Sequence, residues 1–305
     1  MNPVTVEVIV VTWNSAEVLP GLLDSLEQGL HGVHWRLTVA DNASADDTLT
    51  ILQDRFPEAG IVRTGYNAGY AAAINAALAR IAPCTAVLVL NPDIRLAPGC
   101  VAAMLPQLGR ADTGIVVPRL HGESGALTHS LRREPAVLRA VGEAVLGNRR
   151  AGRFALLGEI VTAEAAYRTA ACADWATGAA LLISWQCVQD CGPWDESFFL
   201  YSEETEYALR ARDLGHRTRL APEAHAVHLE GDSEVSPRLW TLLTLNKVRL
   251  FRRRNSAPAT ALFWAATLLR ESSRALLGHR RSRRAAAALL SPARLRTRPT
   301  ADNLA

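Results

Sequence analysis

Four groups of polar residues in this sequence could do chemistry: Asp41, Asp93, the pair Glu203 and Glu204, and His228. Carboxylates bind divalent cations and act as general bases, and a histidine can ligate a metal or carry a proton. Each group also has an ordinary structural explanation, because Asp is common in turns and acids suit the first turn of a helix. The functional interpretation therefore depends on whether one fold brings the four groups together.

The stretch FFLYSEETEYALRAR, residues 198–212, contains the most ambiguous group. Ser202 could cap a helix, and the glutamates that follow would be favoured there by unpaired N–H groups and by the helix dipole. The same arrangement would also present a carboxylate to a substrate from the end of a helix. The stretch by itself leaves both interpretations open.

Strand and helix patterns alternate over the first hundred residues. Apolar runs predict strands in VTVEVIVV, HWRLTVADNAS, GIVRTG and CTAVLVLNPDIRL, and helical patterns fall between them at about 17–28, 45–56 and 67–81. Such alternation is typical of a doubly wound, mainly parallel α/β sheet, where ligands bind beyond the carboxyl ends of the strands. Asp41 and Asp93 both follow predicted strands, so we expect them to lie near each other.

The second half of the chain has a less regular pattern. Residues 121–169 predict loops and helices over the site, and WATGAALLISWQCVQDCG predicts a strand followed by a helix. HRTRLAPEAHAVHLEG predicts two short strands around a proline turn. Beyond Ser236 the pattern is helical and basic, without strand signals.

The charge of the chain is unevenly distributed. The formal net charge is +3, but residues 245–305 hold 14 Lys and Arg against two acids, for +12, and the rest of the chain is −9. This asymmetry predicts an acidic body with a basic tail that meets an anionic surface. The apolar run at 259–269 is shorter than the roughly 20 residues that cross a bilayer.

The cysteines and the N-terminus indicate a reduced, cytoplasmic protein. The five cysteines are odd in number and include no C-x-x-C pair, so neither a zinc site nor a disulfide framework is expected. The first residues, MNPVTVEVIVVTWN, lack the basic segment of a signal peptide and are interpreted as a strand. We therefore expect a cytoplasmic protein, with the inner face of the cell membrane as a peripheral location.

Several motifs together resemble the inverting glycosyltransferases of family 2, which have the GT-A fold, and within them the bacterial rhamnosyltransferase-like branch. The matching stretches are VIVVTWNSAEVLPGLLDSL, VADNASADDT, GYNAGYAAAINAALA, LVLNPDIRLAPG, DWATGAALLI and GPWDESFFLYSEETEYALRARDLGHRTRLAPEAHAVH. They cover residues 6–228 with gaps. The resemblance implies a GT-A-type doubly wound, mainly parallel sheet flanked by helices, followed by a basic helical extension.

The resemblance assigns a nucleotide site and a metal site. In this family a D-x-D motif supplies a metal ligand; here it reads Asn91-Pro92-Asp93, so that Asp93 is the implied ligand and Asn91 departs from the pattern. His228 matches a histidine that ligates the metal in some relatives, and the implied cofactor is Mn²⁺ or Mg²⁺. The implied nucleotide-binding residues are Thr12, Asn14, Asp41, Asn67 and Asn91.

The resemblance also assigns the catalytic base. SEETEY aligns with an acidic pair whose second member is the general base, which falls on Glu204, with Glu203 beside it. Most relatives have Asp there, so the side chain here is one methylene longer. The residues implied near the sugar and acceptor are Asp174, Trp175, Gly178, Arg132 and Arg133, where Trp175 could equally be core packing and the two arginines a solvated pair.

We therefore expect a catalytic domain over residues 1–235, with a nucleotide-binding half (1–118) and an acceptor-binding half (119–235), and a basic helical extension over 236–305. The expected reaction is transfer of a sugar, first L-rhamnose from dTDP-rhamnose, to a hydroxyl of a glycan, glycolipid or polyprenyl-linked acceptor. A non-catalytic nucleotide-sugar binder or scaffold is one alternative. A sugar nucleotidyltransferase is another, but TWNSAEVLPG lacks the glycine-rich basic loop that such an enzyme needs.

The basic tail leaves two interpretations open. Its basic clusters flank an apolar stretch with Phe263 and Trp264, which suits a helix lying on an anionic membrane surface. The same helix could instead pack on the catalytic body with its arginines in solvent. Nucleic acid is not an expected partner, because no aromatic platform is interleaved with the basic residues.

Overall fold

A computed structural model describes residues 4–229 and 236–301 of the chain. The strands are β1 (Thr5–Thr12), β2 (His34–Asp41), β3 (Gly60–Arg63), β4 (Ala86–Leu90), β5 (Ile94–Leu96), β6 (Thr113–His121), β7 (Leu131–Arg132), β8 (Cys172–Ala173), β9 (Trp175–Ala176), β10 (Ala180–Ser184) and β11 (Arg217–His228). The helices are α1 (Leu19–Gly29), α2 (Thr48–Arg55), α3 (Tyr70–Leu78), α4 (Cys100–Leu108), α5 (Val137–Leu146), α6 (Asn148–Ala151), α7 (Trp185–Cys191), α8 (Glu203–Asp213), α9 (Pro237–Arg254), α10 (Ala257–Leu276), α11 (Arg280–Leu289) and α12 (Pro292–Arg296). The main sheet has the strand order β3-β2-β1-β4-β10-β6-β11-β5, with β8 paired to β11.

The first four strands of the sheet form its parallel half. β3, β2, β1 and β4 lie side by side and parallel, and β4 is buried along its whole length. Alternate side chains of β1 contribute to two apolar cores, one shared with α1 and α4 and the other with α3, α7 and α8. Helices therefore cover both faces, and the prediction of a doubly wound, mainly parallel sheet is confirmed.

The other half of the sheet returns the chain to the same edge. β10 runs antiparallel between β4 and β6, β11 is parallel to β6, and β5 is antiparallel to β11. The register pairs His228, at the end of β11, with Ile94, at the start of β5. Residues that are far apart in sequence, Asp93 and His228, are thereby brought to one point beyond the strand ends.

The segment around Pro222 differs from the prediction of two short strands. The structure has one strand, β11, whose register with β6 shifts between Ala221 and His225. Proline cannot donate to a strand ladder, and an irregularity at that point lets the strand continue past it. The prediction of two strands was therefore wrong.

The residues between β6 and β10 contain short elements, as the weak periodicity of 121–169 predicted. α5 and α6 pack together, and β7 pairs with β9 in a two-stranded antiparallel sheet. In that pair Arg132 lies opposite Trp175. α5 of this layer also packs against α10 of the C-terminal helices.

The C-terminal helices α9 to α12 pack around an apolar core that also includes Ala140 of α5. The rings of Phe251 and Phe263 stack with their centroids 4.0 Å apart, and Phe263 is completely buried. The indole N–H of Trp264 donates to the Leu289 carbonyl at 3.0 Å. In the described conformation Phe263 therefore packs inward, which corresponds to the second of the two interpretations of the tail. Among the helices of residues 4–229 and 236–301, none combines the length and apolar character that crossing a bilayer requires.

The helical extension is joined to the rest of the protein by ion pairs. Lys247 of α9 lies 2.7 Å from a carboxylate oxygen of Glu159 and 3.3 Å from one of Glu143. Arg254, at the end of α9, pairs with Glu134 at 3.1 Å. These ion pairs cross the domain boundary that we expect near residue 235, and that boundary stays a prediction.

We expect Phe263→Ala to lower the free energy of unfolding by about 3–5 kcal/mol, because it removes a buried aromatic ring from the core of the extension. Its neighbour Leu262 is 61% exposed, so Leu262→Ala is a matched control that should change stability by less than about 0.5 kcal/mol. Chemical denaturation of both variants measures the difference. Equal, small effects would contradict the packed extension.

Candidate active site

The loops after β1 and β2 are tied together by one carboxylate. Thr12 and Asp41 are register partners, and the Thr12 hydroxyl donates to Asp41 Oδ1 at 2.9 Å. The backbone N–H of Ser44 donates to Asp41 Oδ2 at 2.9 Å, and its hydroxyl donates to Oδ1 at 2.5 Å. Asn14, at a left-handed φ of 49°, accepts from the Ala45 N–H at 2.8 Å. Three of the predicted nucleotide-binding residues therefore meet, and they fix the shape of this loop pair.

The other two predicted nucleotide-binding residues lie near the start of α3. Asn67 accepts from the Gly69 N–H at 3.2 Å, in the turn before the helix. Tyr70, the first residue of α3, donates its hydroxyl to Asn91 Oδ1 at 2.8 Å. The sequence reasoning missed Tyr70, although its place in the GYNAGY motif offered a signal.

Asp93 and His228 form a pair at the ends of β4 and β11. Nε2 of His228 lies 3.1 Å from Oδ2 of Asp93. The other oxygen, Oδ1, is buried without a hydrogen-bond partner among the described residues. A buried, unsatisfied carboxylate oxygen is rare in proteins and indicates a group that a ligand would satisfy. Among the residues that the structure describes, no group of three or more His, Cys, Asp or Glu could hold a metal ion.

The turn that precedes α8 has an unusual backbone. Phe199, Tyr201 and Ser202 have left-handed φ angles of 66°, 66° and 78°. Such a conformation in residues other than glycine costs free energy and persists only where its surroundings enforce it. Ser202 occupies the N-cap position of α8, as the sequence indicated, but its backbone is left-handed and its side chain makes no capping hydrogen bond.

Asn246, on α9 of the extension, holds this turn. Its Nδ2 group lies 2.8, 2.9 and 3.0 Å from the carbonyl oxygens of Phe198, Leu200 and Tyr201, to which it donates. Asn246 is completely buried, and its Oδ1 accepts from Arg249 at 2.6 Å. Sequence reasoning missed Asn246; the signal was a polar residue of poor helix propensity at a buried position of an otherwise regular helix.

The turn presents Glu203 and Glu204 at the first positions of α8. Burial raises the pKa of both carboxyls, and for Glu203 the neighbouring charge of Glu204 raises the pKa further, well above its ordinary range. Oε2 of Glu203 is buried and has no hydrogen-bond partner in the described part of the chain. The pKa of the Tyr70 hydroxyl is also raised, by burial and then by Glu203, Glu204 and Asp93. The predicted base pair, Glu203 and Glu204, and the predicted metal ligand, Asp93, are therefore all close enough to the Tyr70 hydroxyl to raise its pKa.

A cavity of about 430 Å³ is lined by Tyr70, Asn91, His228, Glu203 and Glu204, among others. Gly178 faces Glu204: a Cβ built on this glycine would lie 3.3 Å from Glu204 Cβ. The cavity continues between the body and the extension, where its lining includes Trp240, Lys247 and Arg270.

The residues predicted near the sugar and acceptor divide into two sets. Arg132 and Trp175 line the cavity, with the Arg132 guanidinium 5.8 Å from the Trp175 ring centroid. Asp174 instead accepts from the Glu134 N–H at 2.7 Å and pairs with Arg212 at 3.1 Å.

Arg133 likewise serves the structure around it, because its NH1 donates to the carbonyls of Gly158 at 2.8 Å and Ile160 at 3.2 Å. Its guanidinium therefore braces the loop between α6 and β8. Asp174 and Arg133 are not among the residues that line the cavity, and their role near the sugar or acceptor stays a prediction.

The fold is that of GT-A glycosyltransferases. The mannosyltransferase PcManGT from Pyrobaculum calidifontis, in complex with GDP-Man and Mn²⁺, superposes with a TM-score of 0.57 over 95% of this chain and 84% of its own, at 17% identity. Residues 1–349 of TarS from S. aureus, in complex with UDP-GlcNAc, superpose with a TM-score of 0.51 over 93% of this chain and 90% of theirs, at 16% identity.

The chain belongs to Glycosyl transferase family 2, whose sequence model it matches over residues 7–167, just over half of its length. It is 28% identical over 209 residues to the N-acetylglucosaminyl-diphospho-decaprenol L-rhamnosyltransferase of Mycobacterium tuberculosis. That match covers 64% of this chain and 66% of the relative. The predicted family, fold class and enzyme class are confirmed: the protein is a glycosyltransferase similar to rhamnosyltransferases.

Proposed function

We propose that this glycosyltransferase moves a sugar, with inversion, from a nucleotide sugar to a hydroxyl of a glycan, glycolipid or polyprenyl-linked acceptor. The observation that carries the proposal is the position of Glu204, which lines one cavity together with Asn91 and His228. Burial raises the pKa of its carboxyl. A base whose pKa is raised toward the working pH accepts a proton more effectively.

Inverting transfer requires one group to remove the acceptor's hydroxyl proton as the oxygen attacks the anomeric carbon. Glu204 is proposed as that base, and Arg132, whose positive charge lowers the pKa of Glu204 against the effect of burial, helps keep it ionised. Glu203, with a pKa raised well above its ordinary range by burial and by Glu204, stays protonated beside it. The two glutamates thus take different roles because their environments separate their pKa values.

The donor side of the cavity is proposed to bind the nucleotide. The loops held by Asp41, Thr12 and Asn14 would receive the base, and Asn67 and Asn91 would lie along the nucleotide. Similarity to a rhamnosyltransferase favours dTDP-L-rhamnose as donor and a polyprenyl-diphosphate-linked glycan as acceptor. The proposed location is cytoplasmic, at the inner membrane face where such an acceptor is held.

A divalent metal, Mn²⁺ or Mg²⁺, is proposed as cofactor, and the residues fit it. Asp93 and His228 would hold the ion, since Asp93 Oδ1 is buried and lacks a partner in the described structure. With two protein ligands, the remaining coordination would come from the donor's phosphates and from water, as is common for Mg²⁺. When bound, such an ion stabilises the negative charge on the departing nucleoside diphosphate.

We expect Glu204→Gln to lower kcat by about 10²–10⁴-fold, the usual loss when a general base is removed. Glu203→Gln is the matched control: it preserves shape and the neutral state proposed for Glu203, so kcat should change little. Transfer is measured with saturating donor and acceptor, and donor affinity is measured separately by calorimetry. An active Glu204→Gln variant, or an inactive Glu203→Gln variant, would contradict the assignment of the base.

We expect Asp93→Ala to reduce the affinity for a nucleoside diphosphate in Mn²⁺ to the value measured in EDTA, and His228→Ala to reduce it less. Titration calorimetry with dTDP, UDP and GDP gives both values. Asp190→Ala is the control, because Asp190 and His216 form a similar carboxylate–histidine pair, 2.7 Å apart, away from the cavity. If wild-type protein binds every diphosphate equally with and without metal, the metal site does not exist.

A further inference from the structure

Exposed apolar side chains are concentrated on and beside α5. Val141 and Val145 follow Leu138 by three and seven residues, which places all three on one face of the helix. Phe154 and Leu156 lie in the loop that follows α6. All five side chains are exposed, Val145 and Leu156 by 71% and 70%. Exposed apolar groups gathered in this way mark an interaction surface, and we call these five residues the α5 patch.

Two contacts hold this loop against α5. Nε of Arg139 donates to the Ala155 carbonyl at 3.0 Å. Gly142 lies against Leu157, where a Cβ would come within 2.3 Å of the carbonyl oxygen. Because Ala155 is the residue between the two apolar side chains of the loop, these contacts place the loop part of the patch alongside the helix.

The exposed charges of this segment are positive. Residues 137–158 contain four arginines, and their single carboxylate is Glu143. Glu143 is buried and lies 3.3 Å from the ammonium of Lys247. Three of the arginines are exposed, in α6 and in the turn after it: Arg149, Arg150 and Arg153. The surface of the segment thus combines apolar side chains with positive charge.

The carboxylates that flank the segment pair with cations outside it. Glu134 lies 2.8 Å from Arg212 and 3.1 Å from Arg254. Glu159 lies 2.7 Å from Lys247. These carboxylates therefore do not neutralise the exposed arginines beside the patch.

An anionic lipid surface fits this combination better than a second copy of the chain does. A symmetric dimer through the patch would bring the arginines of both copies together, and like charges in contact oppose association. An anionic bilayer instead attracts each arginine near its surface and takes up the apolar face of a helix that lies at the interface. Charge and apolar surface therefore point to the same occupant.

The opposite face of α5 lines the cavity. Ala140 and Glu143 belong to that lining, as does Asn148 at the start of α6. A helix with its side chains is about 10–12 Å in diameter, so α5 separates the patch from the cavity by that thickness. A protein docked through the patch would hold the cavity about one helix diameter from the lipid headgroups.

We propose that the α5 patch is the surface through which this protein docks on an anionic lipid bilayer. This location differs from the one that the charge of the sequence indicated, which was the basic tail. The inference rests on the proposed transferase function in one respect, since docking there brings the cavity within reach of an acceptor held at a membrane.

Co-sedimentation of the full chain with vesicles tests the surface. At low salt, wild-type protein should bind vesicles of phosphatidylglycerol and phosphatidylcholine more tightly than vesicles of phosphatidylcholine alone. Arg149→Gln combined with Arg150→Gln should weaken binding about 30-fold, because each arginine near an anionic surface contributes about a factor of five. The matched control is Arg283→Gln combined with Arg284→Gln, which removes two adjacent, exposed arginines of the basic tail. It should weaken binding less than about threefold.

The same assay tests the apolar part of the patch. Leu138→Ser should weaken binding about 10-fold, and its ratio to wild type should persist at higher salt, which screens only the charges. Leu214→Ser is the matched control, because Leu214 is 52% exposed, against 60% for Leu138, and follows α8 outside the patch. It should bind like wild type.

Three results would overturn the proposal. The first is wild-type protein that does not bind the anionic vesicles at low salt. The second is a larger loss in the double variant of Arg283 and Arg284 than in that of Arg149 and Arg150, which would assign docking to the tail. The third is a dimer, seen by analytical ultracentrifugation, that Leu138→Ser dissociates, because the patch would then bind a second copy.

The outcome is independent of the catalytic assignment. Binding to vesicles requires neither donor nor transfer, so Glu204→Gln should bind them as wild type does. If the patch variants lose vesicle binding while Glu204→Gln keeps full transfer activity, the proposed base is wrong and the docking surface stands. If Glu204→Gln loses transfer and the patch variants bind vesicles normally, the docking surface is wrong and the base stands.

Discussion

The hydrogen bonds between Asn246 and the strained turn at residues 199–202 are the constraint on which the site depends. Three left-handed residues in this turn each cost about 1–3 kcal/mol, and together they aim the first residues of α8 into the cavity. Asn246 binds the carbonyls of the turn from one side. Gly69 also packs against the turn: a Cβ added to Gly69 would lie 2.4 Å from the Phe199 carbonyl oxygen. The turn before α3, the start of α8 and helix α9 thus meet at a single turn.

The extension is consequently part of the candidate site in two respects. It holds the turn that carries Glu203 and Glu204, and it completes the wall of the cavity beyond them. The lining of that cavity contains both carboxylates and cations: Glu143, Glu159, Glu203, Glu204, Arg132, Lys247 and Arg270.

The sequence predicted the fold because apolar, strand-like runs alternate regularly with helical patterns over the first hundred residues. It also predicted that Asp41 and Asp93 lie at the carboxyl ends of strands, and the structure has them at the ends of β2 and β4. It did not predict the side-chain directions of Asp174 and Arg133, whose partners depend on loop packing. Asn246 was out of reach for a similar reason: its carbonyl partners lie 45 to 48 residues earlier in the chain. Ser202 has the N-cap position that the sequence indicated, but its side chain does not cap the helix, because tertiary contacts of the turn accompany a left-handed backbone there.

The claim that Asn246 positions Glu203 and Glu204 through the turn is tested most directly by kcat. We compare Asn246→Ala with Thr241→Ala at a temperature where both variants are folded. Thr241 lies on the same helix, is buried, and bonds only to the Pro237 carbonyl among the described partners. Small displacements of a catalytic group cost about 100-fold in rate. The account predicts a loss of that order in kcat for Asn246→Ala, with donor affinity unchanged and Thr241→Ala near wild type. Wild-type kcat in a folded Asn246→Ala variant would contradict it.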